Sequence, residues 1–207
     1  FHNRTAATFV PTEAMAERLR GQGYQRVEVV ARGVDTTLFS PAHRSTELRA
    51  AWGLGPNDLA VVSVGRVAPE KNLPLTLAAF EAIRRERPSA RLVVVGDGPA
   101  LANLAHRHPG HIYAGMRTGE DLARHYASAD LFLFPSLTET YGNVTLEAMA
   151  SGLGVVAFDC AAAAEVITPG VEGMTAAVGD ETGFMDAALG LAMDDERRRN
   201  MGAAARS

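Results

Sequence analysis

Short apolar runs alternate with amphipathic stretches along almost the whole chain, and this alternation constrains the fold more than any other feature. The predicted strands 59–65, 91–96, 130–135 and 154–158 each contain a run that is mainly apolar rather than alternating. Strands that are apolar at every position are typical of parallel sheets covered on both faces. The amphipathic stretches between them suit helices that carry the chain back across the sheet. The sequence therefore predicts an α/β fold with a doubly wound parallel sheet of the Rossmann-like type.

The ends of these runs give a specific set of predicted elements. The predicted strands cover residues 7–10, 27–31, 59–65, 91–96, 111–114, 130–135, 154–158 and 174–178. The predicted helices cover residues 11–21, 46–52, 74–87, 99–107, 118–128, 143–151, 161–167, 181–193 and 197–206. Pro74 suits the first turn of its helix, and the side chains of Asn72 and Thr118 are expected to cap the helices that follow them.

The first 40 residues differ from the rest because one strand, one helix and one strand lead into a stretch of turn residues. That stretch begins with Arg32-Gly33-Val34-Asp35 and ends in Phe39-Ser40-Pro41. Gly, Asp and Pro so close together are typical of a connection between structural units. We therefore predict a linker at the end of residues 1–40, followed by a domain formed by residues 41–207.

Composition and charge exclude several classes of protein. The formal net charge of −4 argues against a general nucleic-acid-binding role, because such proteins usually carry a basic face. The one cysteine, Cys160, permits neither an internal disulfide nor a thiolate metal cluster, and we interpret it as a small core residue. No apolar run approaches the ~20 residues that span a bilayer. These features together predict a cytoplasmic protein.

The loop after the predicted strand 59–65 is the first candidate for chemistry. Ligands in doubly wound folds bind where loops leave the carboxyl ends of the strands. Here Gly65 and Arg66 follow the strand, and Lys71 precedes the next helix. Arg66 can hold phosphate oxygens bidentately, Lys71 adds a compact charge, and a helix N-terminus favours an anion. The alternative is a basic surface turn.

The choice of lysine favours phosphate binding by this loop. Of the 20 basic residues, 19 are arginine and one is lysine, Lys71. A chain that uses arginine at every other cationic position places its one lysine in the loop best suited to anions. The loop is not a Walker P-loop, because the pattern G-x-x-x-x-G-K-[ST] is absent.

A second candidate is the loop and helix after the predicted strand 130–135. Glu139 lies in the loop, and Glu147 follows eight residues later in an otherwise apolar helix. Carboxylates at these positions can accept hydrogen bonds from sugar or ribose hydroxyls, and the backbone N–H groups of residues 140–143 can face an anion. The alternative is a surface glutamate together with a second glutamate that the helix dipole stabilises.

Two further loops carry weaker signals. Gly96-Asp97-Gly98-Pro99 lacks the G-x-G-x-x-G pattern of dinucleotide-binding loops, so we interpret it as the turn that ends a strand. Gly115-Met116-Arg117 is either a plain connection or a contact to a nucleotide base. The six histidines have no metal-ligand spacing, and no Ser-His-Asp or Cys-His pattern is visible. The sequence therefore predicts no metal site.

Taken together, these motifs resemble those of the group 1 glycosyltransferases, retaining enzymes of sequence family 4 with the two-domain GT-B fold. Glu139 and Glu147 match the family's E-x7-E pair. Gly65-Arg66 and Glu70-Lys71-Asn72 match its diphosphate loop, and Gly33-Val34-Asp35 resembles its interdomain linker. The motifs follow one another in the family's order over nearly the whole chain.

The resemblance implies a role for each candidate residue. It assigns catalytic roles to Arg66, Lys71 and Glu139, and donor-binding roles to Gly65, Arg117, Thr140, Tyr141, Gly142, Asn143 and Glu147. Arg66 and Lys71 would bind the donor diphosphate and stabilise the charge of the leaving group. Glu139 would bind the hydroxyls of the transferred sugar, helped by backbone N–H groups of residues 140–143. Glu147 would bind the ribose, and Arg117 would lie near the base.

The resemblance also implies a substrate and a missing partner domain. The substrate would be a nucleotide-diphospho-sugar, a UDP- or GDP-hexose, whose sugar is transferred to a glycan or glycolipid without a cofactor or divalent metal. Family members are about twice this length, so residues 1–40 would be the tail of the N-terminal domain with the interdomain linker, and residues 41–207 would be the donor-binding domain. We expect this chain to bind the donor and to transfer little sugar without the N-terminal acceptor domain.

Other interpretations remain open at this point. The longer protein could associate peripherally with the inner membrane through the absent half. A nucleotide-sugar epimerase or a glycogen-phosphorylase-like enzyme of the same architecture competes with the transferase, as does a non-catalytic nucleotide-sugar-binding module. The phosphorylase would need a lysine for pyridoxal phosphate, and the one lysine of this chain already suits a diphosphate.

Overall fold

The computed structural model describes residues 2–30, 33–139 and 141–207, and it contains every predicted strand and helix within two residues of its predicted bounds. The strands are β1 (Thr8–Val10), β2 (Val27–Val29), β3 (Ala60–Val64), β4 (Arg91–Val95), β5 (Ile112–Gly115), β6 (Leu131–Phe134), β7 (Gly154–Phe158) and β8 (Met174–Ala176). The helices are α1 (Glu13–Gly21), α2 (Thr46–Ala51), α3 (Leu73–Glu86), α4 (Leu101–Arg107), α5 (Gly119–Ser128), α6 (Asn143–Ala150), α7 (Ala161–Val166), α8 (Glu181–Met193) and α9 (Asp195–Arg206). Short 3-10 helices at His2–Arg4, Pro41–His43 and Pro69–Lys71 were not predicted.

Strands β3 to β8 form one parallel sheet in the order β5-β4-β3-β6-β7-β8. Each neighbouring pair is parallel, as in the register of Val62 beside Val93 and of Val61 beside Leu131. All residues of β3, β6 and β7 are buried. Their continuous apolar character thus reflects burial on both faces, and the predicted doubly wound α/β fold is confirmed.

Two apolar clusters cover the two faces of this sheet. Helices α3 and α8 lie on one face, where Phe80 and Phe184 are fully buried. Helices α5 and α6 lie on the other, where Tyr126 and Phe132 are fully buried. The alternation of side chains along each strand sends successive residues to opposite clusters, and this is what holds the strand ends in fixed positions.

The first two strands form a separate two-stranded parallel sheet with a small cluster of Val10, Ala16 and Val27. The ring of Phe39 packs in the α5–α6 cluster of the larger sheet. Arg206 of α9 donates from Nη1 to the backbone oxygen of Phe39 at 3.2 Å. The predicted domain boundary near residue 40 stays a prediction.

A charged cluster joins the amino ends of β3 and β6. Arg49 is buried, and its Nη1 donates to the backbone oxygen of Ser128 at 2.9 Å and to Oδ2 of Asp130 at 3.0 Å. Asp130 also accepts from the Ala60 amide at 2.8 Å and from Nη2 of Arg44 at 2.7 Å. We call Arg44, Arg49 and Asp130 the amino-end cluster.

Two predicted helix caps are wrong. Neither Asn72 nor Thr118 makes a side-chain capping hydrogen bond. Asn72 has a left-handed backbone with φ of 51°, whereas a capping side chain requires an extended backbone at that position. Asn tolerates this conformation, and here it turns the chain between the 3-10 helix Pro69–Lys71 and α3. The first turn of α3 contains Pro74, as predicted.

Candidate functional site

The candidate site lies where the strand order of the large sheet reverses. From β3 the chain proceeds outwards to β4 and β5, and from β6 it proceeds in the other direction to β7 and β8. Because the helices diverge at such a point, the loops after β3 and β6 leave a crevice at the carboxyl ends of the two strands. These two loops carry several of the residues singled out in the sequence, whereas Glu147 lies in α6 and Arg117 in the loop after β5.

The two loops are bonded to each other, and this contact brings Lys71 to Glu139. The Leu137 amide donates to the backbone oxygen of Glu70 at 2.9 Å. Nζ of Lys71 forms an ion pair with Oε1 of Glu139, and both side chains are mostly buried, with relative exposures of 18% and 12%. The ammonium also lies 5.3 Å from the centroid of the Phe134 ring. Two residues predicted independently therefore form one charged pair.

Close approach of two backbone segments shapes the neighbouring wall. Gly65 has φ of 145° and donates its N–H to the backbone oxygen of Val95 at 3.0 Å. A Cβ on Gly96 would lie 1.9 Å from the backbone oxygen of Gly65, so that position accepts only glycine without movement of the loop. The Gly96-Asp97-Gly98 stretch does end a strand, as predicted, and it also packs against the loop after β3.

A cleft of about 710 Å³ opens beside this wall. It is lined by the ends of two strands, by three loops and by two helices: Val64, Gly65, Arg66, Val95, Gly96, Asp97, Gly98, Met116, Arg117, Leu122, Val144 and Glu147. A Cβ on Gly65 would lie 3.9 Å from Cε of Lys71, so the lysine adjoins one end of the cleft. The structure thus brings Gly65, Arg66, Lys71, Arg117 and Glu147 to one region.

Glu147 is the deep carboxylate of the cleft. Its Oε2 accepts a hydrogen bond of 2.9 Å from the hydroxyl of Tyr126, which is fully buried on α5. Burial raises the pKa of Glu147 above its ordinary value, and the hydrogen bond from Tyr126 opposes that rise. Burial, and secondarily the Glu147 charge, raise the pKa of Tyr126 well above its ordinary value. In this pair the Tyr126 hydroxyl is the donor and the Glu147 carboxyl group is the acceptor.

The two arginines of the cleft are exposed. Nη1 of Arg66 lies 3.6 Å from Oε1 of Glu70, and its side chain is 67% exposed. Arg117 donates from Nε to the backbone oxygen of Ala114 at 2.9 Å and from Nη1 to Asp121 at 3.0 Å. Arg66 is thus free to reorient towards an anion, whereas Arg117 is held at the rim by two contacts.

The start of α6 carries the remaining predicted residues. Thr140 lies outside the described residues. Gly142 has φ of 90°, and the buried Tyr141 accepts from the Ala162 amide at 2.8 Å through its backbone oxygen. The side-chain oxygen of Asn143 is buried and has no hydrogen-bond partner among residues 2–30, 33–139 and 141–207. This helix N-terminus follows the loop that holds Glu139.

Two residues near the site differ from their predicted places or were not predicted. Cys160, predicted as a small core residue, is half-buried and packs against the α3–α8 cluster, and its Sγ lies 3.8 Å from the backbone oxygen of Ser136. Burial raises the pKa of its thiol, and the Glu139 charge adds to the effect. Tyr126 was not predicted as a site residue, because helical periodicity reveals burial but not the partner of a hydroxyl.

Within the described residues, no group of three or more His, Cys, Asp or Glu side chains is arranged to hold a metal ion. No helix in the same residues has the length and apolar character needed to cross a membrane. Independence of a metal stays a prediction.

Comparison with known proteins identifies the family. The model of the family described as glycosyl transferases group 1 matches residues 58–194, which is more than half of the chain. This chain belongs to the group 1 glycosyl transferases. The predicted family is confirmed, and the matched residues include both loops of the site.

Curated relatives of this glycosyl transferase chain are similar over its whole length. The GDP-mannose-dependent alpha-mannosyltransferase of Mycobacterium tuberculosis (strain CDC 1551 / Oshkosh) is 40% identical over 210 residues, which cover 100% of this chain and 53% of the relative. The protein of the same name from Corynebacterium glutamicum is 36% identical, with coverages of 99% and 48%. The chain therefore spans about half the length of the curated relatives it matches.

Solved structures show the same fold at lower identity. Anabaena Alr3699/HepE in complex with UDP and glucose has a TM-score of 0.83 and 23% identity, covering 99% of this chain and 58% of that one. The C-terminal domain of the group 1 family protein LpcC from Francisella tularensis has a TM-score of 0.74 and 21% identity, with coverages of 84% and 95%. This glycosyl transferase chain therefore has the doubly wound fold of a GT-B C-terminal domain.

Proposed function

We propose that this chain binds a nucleotide-diphospho-hexose and supplies the donor half of a retaining hexosyl transfer in a longer protein. The observation that carries the proposal is that Arg66 and the half-buried Glu147 line one cleft, which Lys71 adjoins at Gly65. A cleft of about 710 Å³ has the size of pockets that enclose a ligand of this kind. Cations at one end and a carboxylate inside suit a diphosphate joined to a ribose.

The geometry supports a specific orientation of the donor. The ribose lies against Glu147, whose ionised carboxylate accepts hydrogen bonds from hydroxyls. The base extends towards Met116 and Arg117 at the cleft rim, and the diphosphate lies on Gly65, Arg66 and Lys71. The sugar then reaches Glu139 and the N-terminus of α6. In this orientation the backbone N–H groups of residues 141–143 lie near the sugar.

The chemistry of the site is electrostatic. Transfer breaks the bond between the sugar and the diphosphate, so negative charge grows on the departing phosphate oxygen. Arg66 and Lys71 stabilise that charge most when it is fully developed, which lowers the barrier to transfer. The same two cations supply the positive charge for which other enzymes use a divalent metal. The acceptor binds to the remainder of the longer protein.

An exchange of partners by Lys71 follows from its present ion pair. Without a donor, Glu139 neutralises the lysine at the end of the cleft. A diphosphate carries more negative charge than one carboxylate and attracts the ammonium more strongly. Lys71 then turns to the diphosphate, and Glu139 becomes free to accept hydrogen bonds from the sugar hydroxyls.

The donor we propose is GDP-mannose. Two relatives named GDP-mannose-dependent alpha-mannosyltransferase are 40% and 36% identical to this chain over at least 99% of its length. The coarser part of the proposal, a nucleotide-sugar donor, does not depend on this choice of base and sugar.

Calorimetric titration with GDP-mannose, UDP-glucose, GDP and UDP tests the proposal. We expect binding, with GDP-mannose the tightest. In Glu147→Gln the affinity for every bound ligand should fall by at least roughly tenfold, because a hydrogen bond to a charged group is worth about 1.5–3 kcal/mol. The matched control is Glu17→Gln, which changes an exposed carboxylate on α1 and should leave the affinities unchanged.

Two outcomes would contradict the proposal. A folded wild-type chain that binds none of the four ligands would remove the donor-binding role from this half of the protein. Equal weakening by Glu147→Gln and Glu17→Gln would show that the effect is one of net charge rather than of a contact in the cleft. Preference for UDP-glucose would change the donor and keep the site.

A further inference from the structure

Tyr126 lies directly behind Glu147, and its hydroxyl is the buried group that contacts this carboxylate. The phenolic oxygen is 2.9 Å from Oε2 of Glu147 and 3.4 Å from the backbone oxygen of Val144. A phenol has one proton to donate, and the shorter contact to a carboxylate is the stronger of the two. The hydroxyl therefore holds one oxygen of Glu147.

The ring that carries this hydroxyl is held in place on two sides. The Phe39 ring meets the Tyr126 ring edge to face, with centroids 5.8 Å apart and an interplanar angle of 80°. The Phe132 ring of β6 lies 6.0 Å away at 59°. Tyr126 is fully buried, so neither rotation nor withdrawal of its ring is available without repacking of the α5–α6 cluster.

Glu147 is arranged to serve two partners. Its side chain lines the cleft, and the hydrogen bond from Tyr126 uses Oε2. The remaining oxygen, Oε1, is not used by this bond. A carboxylate anchored through one oxygen presents the other in a defined direction. Less side-chain conformational entropy is then lost when a ligand binds.

We propose that Tyr126 is a positioning residue, whose hydroxyl fixes the Glu147 carboxylate so that its other oxygen accepts hydrogen bonds from the ribose of a bound nucleotide. This inference rests on the proposed donor site. Tyr126 itself does not touch the ligand, because it is wholly covered by protein. It acts through Glu147, as a supporting residue acts on a metal ligand or a catalytic base.

The electrostatics of the pair agree with this role. Burial favours the protonated form of Glu147, and the Tyr126 hydrogen bond favours the ionised form that accepts hydrogen bonds from hydroxyls. The other charged groups that line the cleft are Arg66, Asp97 and Arg117. Loss of the hydroxyl should therefore raise the pKa of Glu147 further, and nucleotide binding should be lost at a higher pH as the solution is acidified.

The test is Tyr126→Phe, a nearly isosteric change that removes only the hydroxyl. Its matched control is Tyr113→Phe, which removes a hydroxyl bonded to backbone oxygens of Leu104 and His108 away from the cleft. Both variants are titrated with GDP and UDP across a pH series, and thermal unfolding checks the fold. We expect Tyr126→Phe to weaken binding about five- to tenfold and to move the acid limb to higher pH. Tyr113→Phe should change neither.

The ligand and the partner residue provide two further comparisons. In the Glu147→Gln background, Tyr126→Phe should have less than about half of its effect on affinity, because the carboxylate that it positions is gone. Wild type and Tyr126→Phe should have equal affinities for the 2′,3′-dideoxynucleoside diphosphate, because this ligand lacks the ribose hydroxyls that Glu147 would contact. A purely structural tyrosine would weaken all of these complexes alike and would leave the pH profile in place.

The possible outcomes are distinct. If the wild-type chain binds neither nucleotide, the proposed function falls and this role falls with it. If the wild type binds and Tyr126→Phe has the same affinity and the same acid limb, the positioning role alone is overturned. If Tyr126→Phe does not fold, 3-fluorotyrosine introduced at Tyr126 decides, because its more acidic hydroxyl donates more strongly. The acid limb should then move to lower pH, and an unmoved limb would overturn the role.

Discussion

Strands β3 and β6 carry a pair of opposite charges at each of their ends, and the two pairs are built differently. At the amino ends, Arg49 donates to Asp130 and to the backbone oxygens of Ser128, Gly55 and Asp58. At the carboxyl ends, Lys71 meets Glu139 and the face of a phenyl ring. The guanidinium of Arg49 is thus surrounded by four acceptors, whereas the ammonium of Lys71 has a single anionic partner among its described contacts.

The difference shows how the same strands support stability at one end and binding at the other. The planar guanidinium of Arg49 satisfies several buried carbonyl groups at once. Because its hydrogen-bond donors are engaged in this network, they are not available to a ligand. The ammonium of Lys71 is a point charge on a flexible stem, and it can exchange one anion for another. The choice between arginine and lysine therefore separates the structural end of the sheet from the functional end.

The largest effect that we expect is on stability, from Arg49→Leu. Removal of the cation leaves Asp130 with less compensation and three backbone oxygens without their donor. Breaking a buried ion pair in this way costs about 3–5 kcal/mol, or roughly 6–20 °C in Tm for a chain of this size. Urea and thermal unfolding measure the change, and Arg18→Leu, an exposed arginine on α1, is the control.

Arg49→Leu should leave the binding of the donor intact. At a temperature where the variant is folded, its affinity for GDP-mannose should be within about twofold of wild type, because the substitution is at the opposite edge of the sheet. A large loss of affinity in the folded variant would show that the two ends of the strands are coupled.

The second-largest effect that we expect is the loss of binding in Lys71→Met. Loss of the one lysine should weaken nucleoside diphosphate binding roughly 10- to 100-fold, as expected for a charge-assisted contact of about 1.5–3 kcal/mol. The free energy of unfolding should fall by less than in Arg49→Leu, because Glu139 loses its cation but no backbone oxygen loses a donor. Calorimetric titration and urea unfolding measure the two quantities.

Its control is Arg85→Met, which removes an exposed positive charge from α3. The control should bind nucleoside diphosphates like wild type. High salt should reduce the loss of affinity in Lys71→Met less than it would reduce the effect of removing a remote charge. Unchanged affinity in Lys71→Met would exclude the lysine from the site and would contradict a binding role for the charged pair at the carboxyl ends of β3 and β6.

The smallest effect should come from a third ion pair, between Arg87 and Asp195. Asp195 also accepts from Arg198 at 2.7 Å, and its side chain is 42% exposed. The hydrogen bond from Arg87, with help from Arg198, lowers the pKa of Asp195 from 3.8 to about 2. Solvent screens such a pair, so Arg87→Gln should cost less than about 1 kcal/mol at neutral pH.

The pH dependence of that loss has a definite sign. A carboxyl whose pKa is lowered by folding stabilises the protein above its ordinary pKa of 3.8, and the stabilisation disappears as the pH falls through about 2. The difference in unfolding free energy between wild type and Arg87→Gln should therefore be constant at neutral pH and narrow on acidification below 3.8. A difference that stays constant throughout would assign the effect to packing.

Most of the fold could be predicted from the sequence because its strands are short, apolar and flanked by periodic helices. Every predicted element is present within two residues of its expected bounds. The errors are local. The capping roles of Asn72 and Thr118 depend on backbone dihedral angles that residue type does not determine, and Asn72 adopts a left-handed turn instead.

The candidate site could be predicted in part. The motifs identified Lys71, Glu139 and Glu147 one at a time, each from its own loop or helix. That Lys71 and Glu139 form an ion pair could not be predicted, because 68 residues separate them and no local pattern encodes their distance. Tyr126 was missed as a functional residue for the same reason, since a buried tyrosine in a helical stripe looks like any other core residue.

The order of the elements could be predicted from the sequence because it depends on periodicity along the chain, and the family was predicted from the resemblance of motifs that lie in one order along the chain. The tertiary structure alone decided which residues meet. Pairing β3 beside β6 is a long-range event, and it sets Arg49 against Asp130 at one edge and Lys71 against Glu139 at the other. Charges separated by tens of residues acquire their partners only when the sheet fixes its strand order.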